Sequence, residues 1–478
     1  MTLNDTPRAN RIHIGIFGRR NAGKSSLINA LTGQDLAIVS DTPGTTADPV
    51  FKSMELHPVG PVVFIDTAGF DDEGILGDLR VSRTRDVIGQ TDLAILVIDG
   101  MELKGRPSSD VTMADAAASG VTGAASDRKK QDNNLEKECI WLARLQEAKI
   151  PVIAVVSHWD ELDAEERAAA LTAAHTAVSG AARAATHEGA EDMAPASLNC
   201  PVVPVSAKTG EGMDELRSAI AAAVKEPMQR GLLGDLLKEE GLALLVMPQD
   251  LQAPKGRLIL PQVQTIRELL DRQCTVVSTT ADGLDRALDA LRRPPELIIT
   301  DSQCFEEVYK KKPEESALTS FSILMAAAKG DIDVFVDGAA AIDRALKRAG
   351  EEMTARDRLS AIDAEFPNKV SATFHVLIAE ACTHVPLQED IGTVKIPRLL
   401  KRTCGDHISM SHVRGNDFPD AEALKQFDLI IHCGACMFNR RHVMSRTAAA
   451  REAGVPITNY GVFLAKMAGI LDRIEMPR

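Results

Sequence analysis

Eight residues near the N-terminus, Gly18-Arg19-Arg20-Asn21-Ala22-Gly23-Lys24-Ser25, constrain the fold more than any other part of the chain. They follow an apolar run from Ile12 to Phe17 and precede a helical pattern from Lys24 to Leu31. That strand, loop and helix order lets backbone N–H groups curl around a phosphate. In such a loop Gly18, Asn21, Ala22 and Gly23 offer amides, and Lys24 bridges the β- and γ-phosphates. Ser25, followed by Ser26, brings a hydroxyl to Mg²⁺. Further apolar runs from Val62 to Ile65, Leu93 to Ile98 and Val152 to Val156 are separated by helical stretches. Buried strands alternating with helices predict a parallel sheet covered on both faces.

Downstream residues specify the nucleotide. Asp66-Thr67-Ala68-Gly69 follows the second strand, so Asp66 can hold Mg²⁺ through water and the Gly69 amide can sense the γ-phosphate. Thr45 and Thr46 lie in the loop that would supply a further Mg²⁺ hydroxyl, and Ser206-Ala207-Lys208 matches the motif lining a guanine pocket. These elements in this order resemble the translation-factor-related GTPases. The usual Asn-Lys-x-Asp base motif appears here as Ser157-His158-Trp159-Asp160. Asp160 can accept from two guanine N–H groups that adenine lacks, and His158 is a candidate to stack on the base. Phe70 stands where Ras-like enzymes place a water-orienting Gln, so intrinsic turnover should be slow. Asn21 and Gly44-Thr45-Thr46-Ala47-Asp48 resemble the GTPases that use K⁺ in place of an arginine finger. The catalytic candidates are therefore Lys24, Asn21 and Gly69.

Residues 103–134 have almost no large apolar side chain and predict a flexible surface insertion, while the Ala-rich stretch 164–198 predicts helix. Glu226-Pro227 marks a domain boundary. Beyond it the expected order is strand Leu242 to Met247, helix Gln262 to Arg272, strand Thr275 to Ser278, helix Leu284 to Leu291 and strand Glu296 to Thr300. This α/β module has no catalytic constellation and reads as an oligomerisation domain; Asp301 reads as a helix cap and Cys304 as a buried thiol. From about Asp331, strands are expected from Val334 to Val336, His375 to Glu380 and Leu429 to His432. The last two run into Cys382-Thr383-His384 and His432-Cys433-Gly434-Ala435-Cys436. Sites in open α/β sheets collect at such carboxyl ends of strands.

Composition decides how those cysteines are read. The formal charge of −14 argues against a nucleic-acid surface. The absence of a signal-like N-terminus or an apolar run of about 20 residues argues against membrane insertion. The expected compartment is the cytoplasm, where thiols stay reduced, so the eight cysteines are not a disulfide framework. Cys433 and Cys436 can reach one metal or cluster, Cys382 adds a third thiolate, and His384 and His432 add imidazoles. A [4Fe–4S] cluster with one exchangeable iron and a Cys₃His zinc site both stand on this ligand chemistry. Cys139, Cys200, Cys274, Cys304 and Cys404 read as buried structural thiols in the main.

The cysteine pattern behind a GTPase domain resembles the [FeFe]-hydrogenase maturation GTPase family. The segments Ala253 to Gln262, Asp390 to Arg398, His432 to Met437 and Thr458 to Gly461 carry the same likeness. The resemblance implies an α/β protein of three parts: an N-terminal P-loop GTPase domain (1–228), a small α/β dimerisation domain (229–331) and a C-terminal α/β iron–sulfur cluster-binding domain (332–478). It implies GTP/GDP at the first, where the residues already named call for Mg²⁺ and K⁺. At the last it implies a [4Fe–4S] cluster on Cys382, Cys433 and Cys436, with His384 or His432 as candidate fourth ligand. It further implies a scaffold that carries a diiron subcluster precursor to the hydrogenase apoprotein, works with radical-SAM maturases, and forms a homodimer or a tetramer of paired dimers. The competing reading is a GTPase of ribosome assembly or tRNA modification with a structural zinc module. The acidic charge and the lack of a basic, aromatic-interleaved segment weigh against it.

Overall fold

Each apolar run of the N-terminal part becomes a strand of one six-stranded sheet, in the order β2-β3-β1-β4-β5-β6. The computed structural model describes residues 6–33, 50–67, 87–104, 135–185, 200–224, 231–248, 258–347, 374–381 and 390–478. The chain divides into two compact units, Met1–Met228 and Gln229–Arg478. In the first, β1 (Ile12–Gly18), β3 (Gly60–Asp66), β4 (Leu93–Asp99), β5 (Val152–Ser157) and β6 (Val202–Pro204) run parallel. The edge strand β2 (Val50–Leu56) pairs antiparallel with β3. Sequence reading missed β2 because Lys52, Ser53 and Glu55 interrupt its apolar character, and an edge strand tolerates that.

Helices α1 (Lys24–Thr32) and α4 (Met213–Ala223) cover one face; Leu27, Ile28, Leu216 and Ile220 pack there on Ile14 and Ile95. Helices α2 (Glu136–Glu147) and α3 (Ala164–Ala185) cover the other, with Leu142, Leu145, Ala170 and Ala174 against Leu96 and Ile98. The helix expected over 164–198 is thus present as far as Ala185, and residues 186–198 lie outside the described ones. Most of the expected insertion, 105–134, also lies outside them. At Gly18 a Cβ would stand 2.6 Å from the Val97 carbonyl, so only glycine lets β1 lie this close to β4 as it enters the phosphate loop.

The second unit holds two four-stranded parallel sheets. One has the order β10-β9-β7-β8 and is built from β7 (Leu242–Val246), β8 (Thr275–Thr279), β9 (Leu297–Thr300) and β10 (Ala317–Ser320). Its helices are α5 (Leu260–Asp271), α6 (Leu284–Asp289), α7 (Phe305–Lys311) and α8 (Phe321–Lys329). The other has the order β12-β11-β13-β14, from β11 (Phe374–Glu380), β12 (Ile408–Arg414), β13 (Leu429–His432) and β14 (Ile457–Asn459). It is accompanied by α9 (Ile332–Ala339), α10 (Ile396–Cys404), α11 (Ala421–Leu424), α12 (Arg440–Glu452) and α13 (Tyr460–Met467). Leu244 and Ile298 of the first sheet share one apolar cluster with Leu377 and Ile430 of the second.

The strand expected from Val334 to Val336 is a correction: those residues lie in α9. Asp331 caps that helix by accepting from the Val334 N–H, and Phe335, Gly338 and Ala339 turn inward at helical spacing. Local β-propensity of Val-Phe-Val yields to that packing. Gly338 shows why: its absent Cβ would stand 1.9 Å from the Ile457 carbonyl, so α9 lies directly on β14.

Candidate functional site

The phosphate loop spans residues 19–23 between β1 and α1, with Asn21 (φ 62°) and Gly23 (φ 84°) in the left-handed region. Lys24 is buried, and its Nζ donates to Gly18 O at 2.9 Å and to Arg19 O at 2.6 Å, poised along the inner wall of the loop. Ser25 Oγ donates to Asp66 Oδ2 at 3.0 Å, so two of the four expected Mg²⁺ groups meet across the ends of α1 and β3. Burial, chiefly, raises the Asp66 carboxyl, and Ser25, Lys24 and Lys52 oppose that rise. Thr45, Thr46 and Gly69 lie outside the described residues.

A cleft of about 510 Å³ adjoins this loop, lined by Gly23, Ser26, His158, Asp160, Ala207 and Lys208 among others. All but one of the predicted base-pocket residues therefore converge on one cavity. Ser206 completes the set from behind: fully buried, its Oγ donates to Asp160 Oδ1 at 2.6 Å and accepts from the Thr209 N–H at 3.0 Å. That bond, first among the causes, holds the Asp160 carboxyl below its ordinary range. His158 adopts φ 54° and pairs its Nδ1 with Asp99 Oδ1 at 2.8 Å. Its ring thus stands between β4 and the phosphate loop.

Sequence reading missed Asp99, although a carboxylate ending a buried strand was a usable signal. It also missed the Arg19 contacts: the guanidinium reaches Glu138 at 2.7 Å and Glu102 at 3.1 Å. Nothing in spacing could have shown that, since Glu138 is 119 residues away.

In the second unit β11 and β13 are parallel neighbours, with Ala379 opposite His432. Cys433 follows β13 directly. Its Sγ accepts the Ala381 N–H at 3.1 Å and the Ala435 N–H at 3.4 Å. Ala435, at φ 52°, takes the left-handed conformation in the turn between Cys433 and Cys436. Burial above all, then the neighbouring Cys436, pushes the Cys433 thiol up to about 11. Burial likewise raises Cys436, and Lys329 opposes it most. Two half-buried thiols, one of them with two backbone N–H groups turned to it, fit a soft metal, whose charge would replace the protons. Cys382 and His384 lie outside the described residues. Among the described residues no group of three His, Cys, Asp or Glu gathers as a metal site.

His432 corrects an expectation. Its Nδ1 faces Cys433 O at 2.8 Å and its Nε2 faces the Arg446 guanidinium at 3.0 Å, so both ring nitrogens are engaged within the protein. Burial, then Arg446, lowers its pKa to about 3, which keeps the ring neutral. Arg446 is itself buried between the rings of Phe418 and Phe438. Asn459 Nδ2 donates to Cys433 O at 3.2 Å, and Lys329 Nζ donates to Ala435 O at 3.1 Å. Sequence reading missed both supports. Of the other cysteines, Cys274 and Cys404 are buried, whereas Cys139, Cys200 and Cys304 are half-buried. Asp301 caps a single turn by accepting from the Gln303 N–H, as expected of a cap.

Three family models match the chain. Residues 13–158 match the 50S ribosome-binding GTPase model, 232–330 the hydrogen maturase F dimerization domain and 366–477 the hydrogen maturase F tetramerization domain. GTPase Der of Nautilia profundicola is 45% identical over 94 residues, 19% of this chain and 20% of that protein. The tRNA modification GTPase MnmE of Paracidovorax citrulli is 34% identical over 212 residues, 44% of this chain and 35% of that protein. The chain spans about a fifth of the length of the Der relative and about a third of the MnmE relative. Among solved structures, Aquifex aeolicus Era bound to GDP·AlF₄⁻ aligns at 20% identity and a TM-score of 0.30, over 54% of this chain and 65% of that one. No helix among the described residues is long and apolar enough to cross a membrane.

Proposed function

We propose that this chain, which belongs to the hydrogen maturase F family, is a cytoplasmic GTP-hydrolysing scaffold of [FeFe]-hydrogenase maturation. It holds the diiron precursor as cargo and passes it to the hydrogenase apoprotein. The observation that carries the reading is the Ala381 N–H on Cys433 Sγ at 3.1 Å. The residue before Cys382 is thereby fixed beside the Cys433 and Cys436 pair, at the ends of two neighbouring strands.

A [4Fe–4S] cluster on Cys382, Cys433 and Cys436 would supply an iron with an exchangeable position for cargo. The chain's own residues shape that position. Ala381 and Ala435 present N–H groups to Cys433, Asn459 and Lys329 hold the loop, and His432 stays bound to Arg446. His384 is then the imidazole left as a candidate fourth ligand.

At the nucleotide site Lys24 leaves the Gly18 and Arg19 carbonyls for the β- and γ-phosphates, while Ser25 and Asp66, with Thr45 and Thr46, hold Mg²⁺. Asp160, aligned by Ser206, reads guanine, and Ala207, Lys208 and His158 enclose it. The Gly69 amide senses the γ-phosphate, and Asn21 helps bind K⁺ beside the transferred group. Loss of the γ-phosphate then biases association with the radical-SAM maturases and the apoprotein. The second unit's dimerization and tetramerization domains build the oligomer.

Anaerobic reconstitution with iron and sulfide, followed by EPR of the reduced protein, tests the reading. A paramagnetic cluster in the wild type that is lost in Cys433→Ser supports it, and a stable zinc-only protein sinks it. Equal turnover in Na⁺ and K⁺ buffers would remove the K⁺ part alone.

A further inference from the structure

Lys329 ends α8, next to the first four-stranded sheet of the second unit, and is 7% exposed. Its Nζ lies 3.1 Å from Ala435 O, 3.1 Å from Cys436 O and 2.6 Å from Phe438 O. An ammonium has three N–H donors, so the three carbonyls take all of them and none is left for a sulfur.

Each of those carbonyls belongs to a planar trans peptide whose N–H points the opposite way. The Ala435 carbonyl shares its peptide with the Cys436 N–H, and the Cys436 carbonyl shares its own with the Met437 N–H. These two peptides flank Cys436, so the cation fixes the backbone on both sides of that residue. Lys329 therefore grips the oxygen ends of the two peptides that join Cys436 to the chain.

We propose that Lys329 is a positioning residue of the cysteine site: it fixes the two peptides on either side of Cys436 and places a positive charge beside the cysteine pair. This rests on the reading that Cys433 and Cys436 hold a cluster. A nearby positive charge and N–H···S bonds favour the more negative, reduced state of such a cluster. Loss of Lys329 should accordingly lower the reduction potential. A role confined to filling space would leave it unmoved.

The test uses the full-length protein, reconstituted anaerobically with iron and sulfide, as wild type, Lys329→Met and Lys329→Arg. Far-UV circular dichroism and iron per chain are read first, then the midpoint potential by EPR-monitored titration. Lys329→Met is expected to bind a cluster whose reduced-to-oxidised ratio at fixed potential falls about tenfold, a midpoint about 59 mV more negative for one electron. Lys329→Arg should restore most of the shift. A cluster-loaded Lys329→Met variant at the wild-type potential overturns the inference, whereas a wild type that takes up no cluster overturns the parent reading instead. If Lys329→Met does not fold, amide deuterium exchange over residues 435–438 of the loaded wild type decides. Slow exchange supports the gripped peptides, and exchange as fast as in open chain refutes them.

Discussion

Ser206 Oγ donates to Asp160 Oδ1 at 2.6 Å, which ties the loop after β6 to the carboxylate of the base-recognition motif. On the proposed reading Asp160 accepts from the two N–H groups of guanine, and the hydroxyl holds that carboxylate in place. Ser206→Ala should therefore raise the dissociation constant for GDP about tenfold, the low end for a hydrogen bond to a charged group, because Asp160 is partly exposed. Titration with a fluorescent GDP analogue measures this. The same bond lowers the Asp160 pKa, so the carboxylate stays ionised until pH falls below the ordinary Asp range. The preference of GDP over ADP should accordingly persist in mildly acidic buffer.

Asp66 has the opposite sign. Burial raises its folded-state pKa above the unfolded value, so protonation favours the folded, nucleotide-free protein, and ionisation costs stability as pH rises through that raised pKa. Asp66→Asn should thus raise the melting temperature of the nucleotide-free protein near pH 7 while abolishing its further stabilisation by GDP with Mg²⁺. Calorimetric scans with and without Mg²⁺–GDP check both halves. A lower melting temperature for the nucleotide-free variant would show that Asp66 is held by structure rather than poised for a cation.

Much of this site was legible because its chemistry is local. Gly18 to Ser25 fall in one loop, and Cys433 and Cys436 in one turn, so spacing alone brings the groups together. Asp160 and Ser206 come from separate motifs, but each motif carries its own signature. What could not be read is support from a distance. Lys329 reaches a loop more than 100 residues further along the chain, and a lysine ending an apolar helix otherwise reads as a solvated C-terminal charge. The failed strand at Val334 to Val336 has the same origin: contact with Ile457 on β14, not local propensity, decides the conformation of α9. His432 looked like a ligand because sequence shows the imidazole and hides Arg446.

His432 offers a sharp distinction between ligand and support. With Nδ1 and Nε2 both engaged, His432→Ala should leave cluster iron per folded chain unchanged while removing one partner of a buried guanidinium group. Breaking such a contact costs about 1–3 kcal/mol, so the denaturant midpoint should fall clearly. Iron content and urea unfolding of the same preparation give both values. Loss of one iron per cluster would return His432 to the list of ligands.

Oligomer assembly can be probed on α5, which turns Gln262, Thr265 and Leu269 inward. Its other face carries Val263 and Leu270, 48% and 57% exposed, two turns apart and so on one stripe, with Leu258 nearby at 45%. Isolated exposed apolar residues are ordinary, but an aligned set within a dimerization domain fits contact with a second copy. Val263→Glu with Leu270→Glu should cost the folded chain little, because neither side chain contributes to the core. At an interface, each carboxylate would have to lose water without a partner, which costs about 2 kcal/mol or more and weakens association about thirtyfold per site. Sedimentation velocity at micromolar concentration should then show smaller species for the double variant, with unchanged circular dichroism and GDP binding. An unaltered sedimentation coefficient would move the interface off α5 to another face of the second unit.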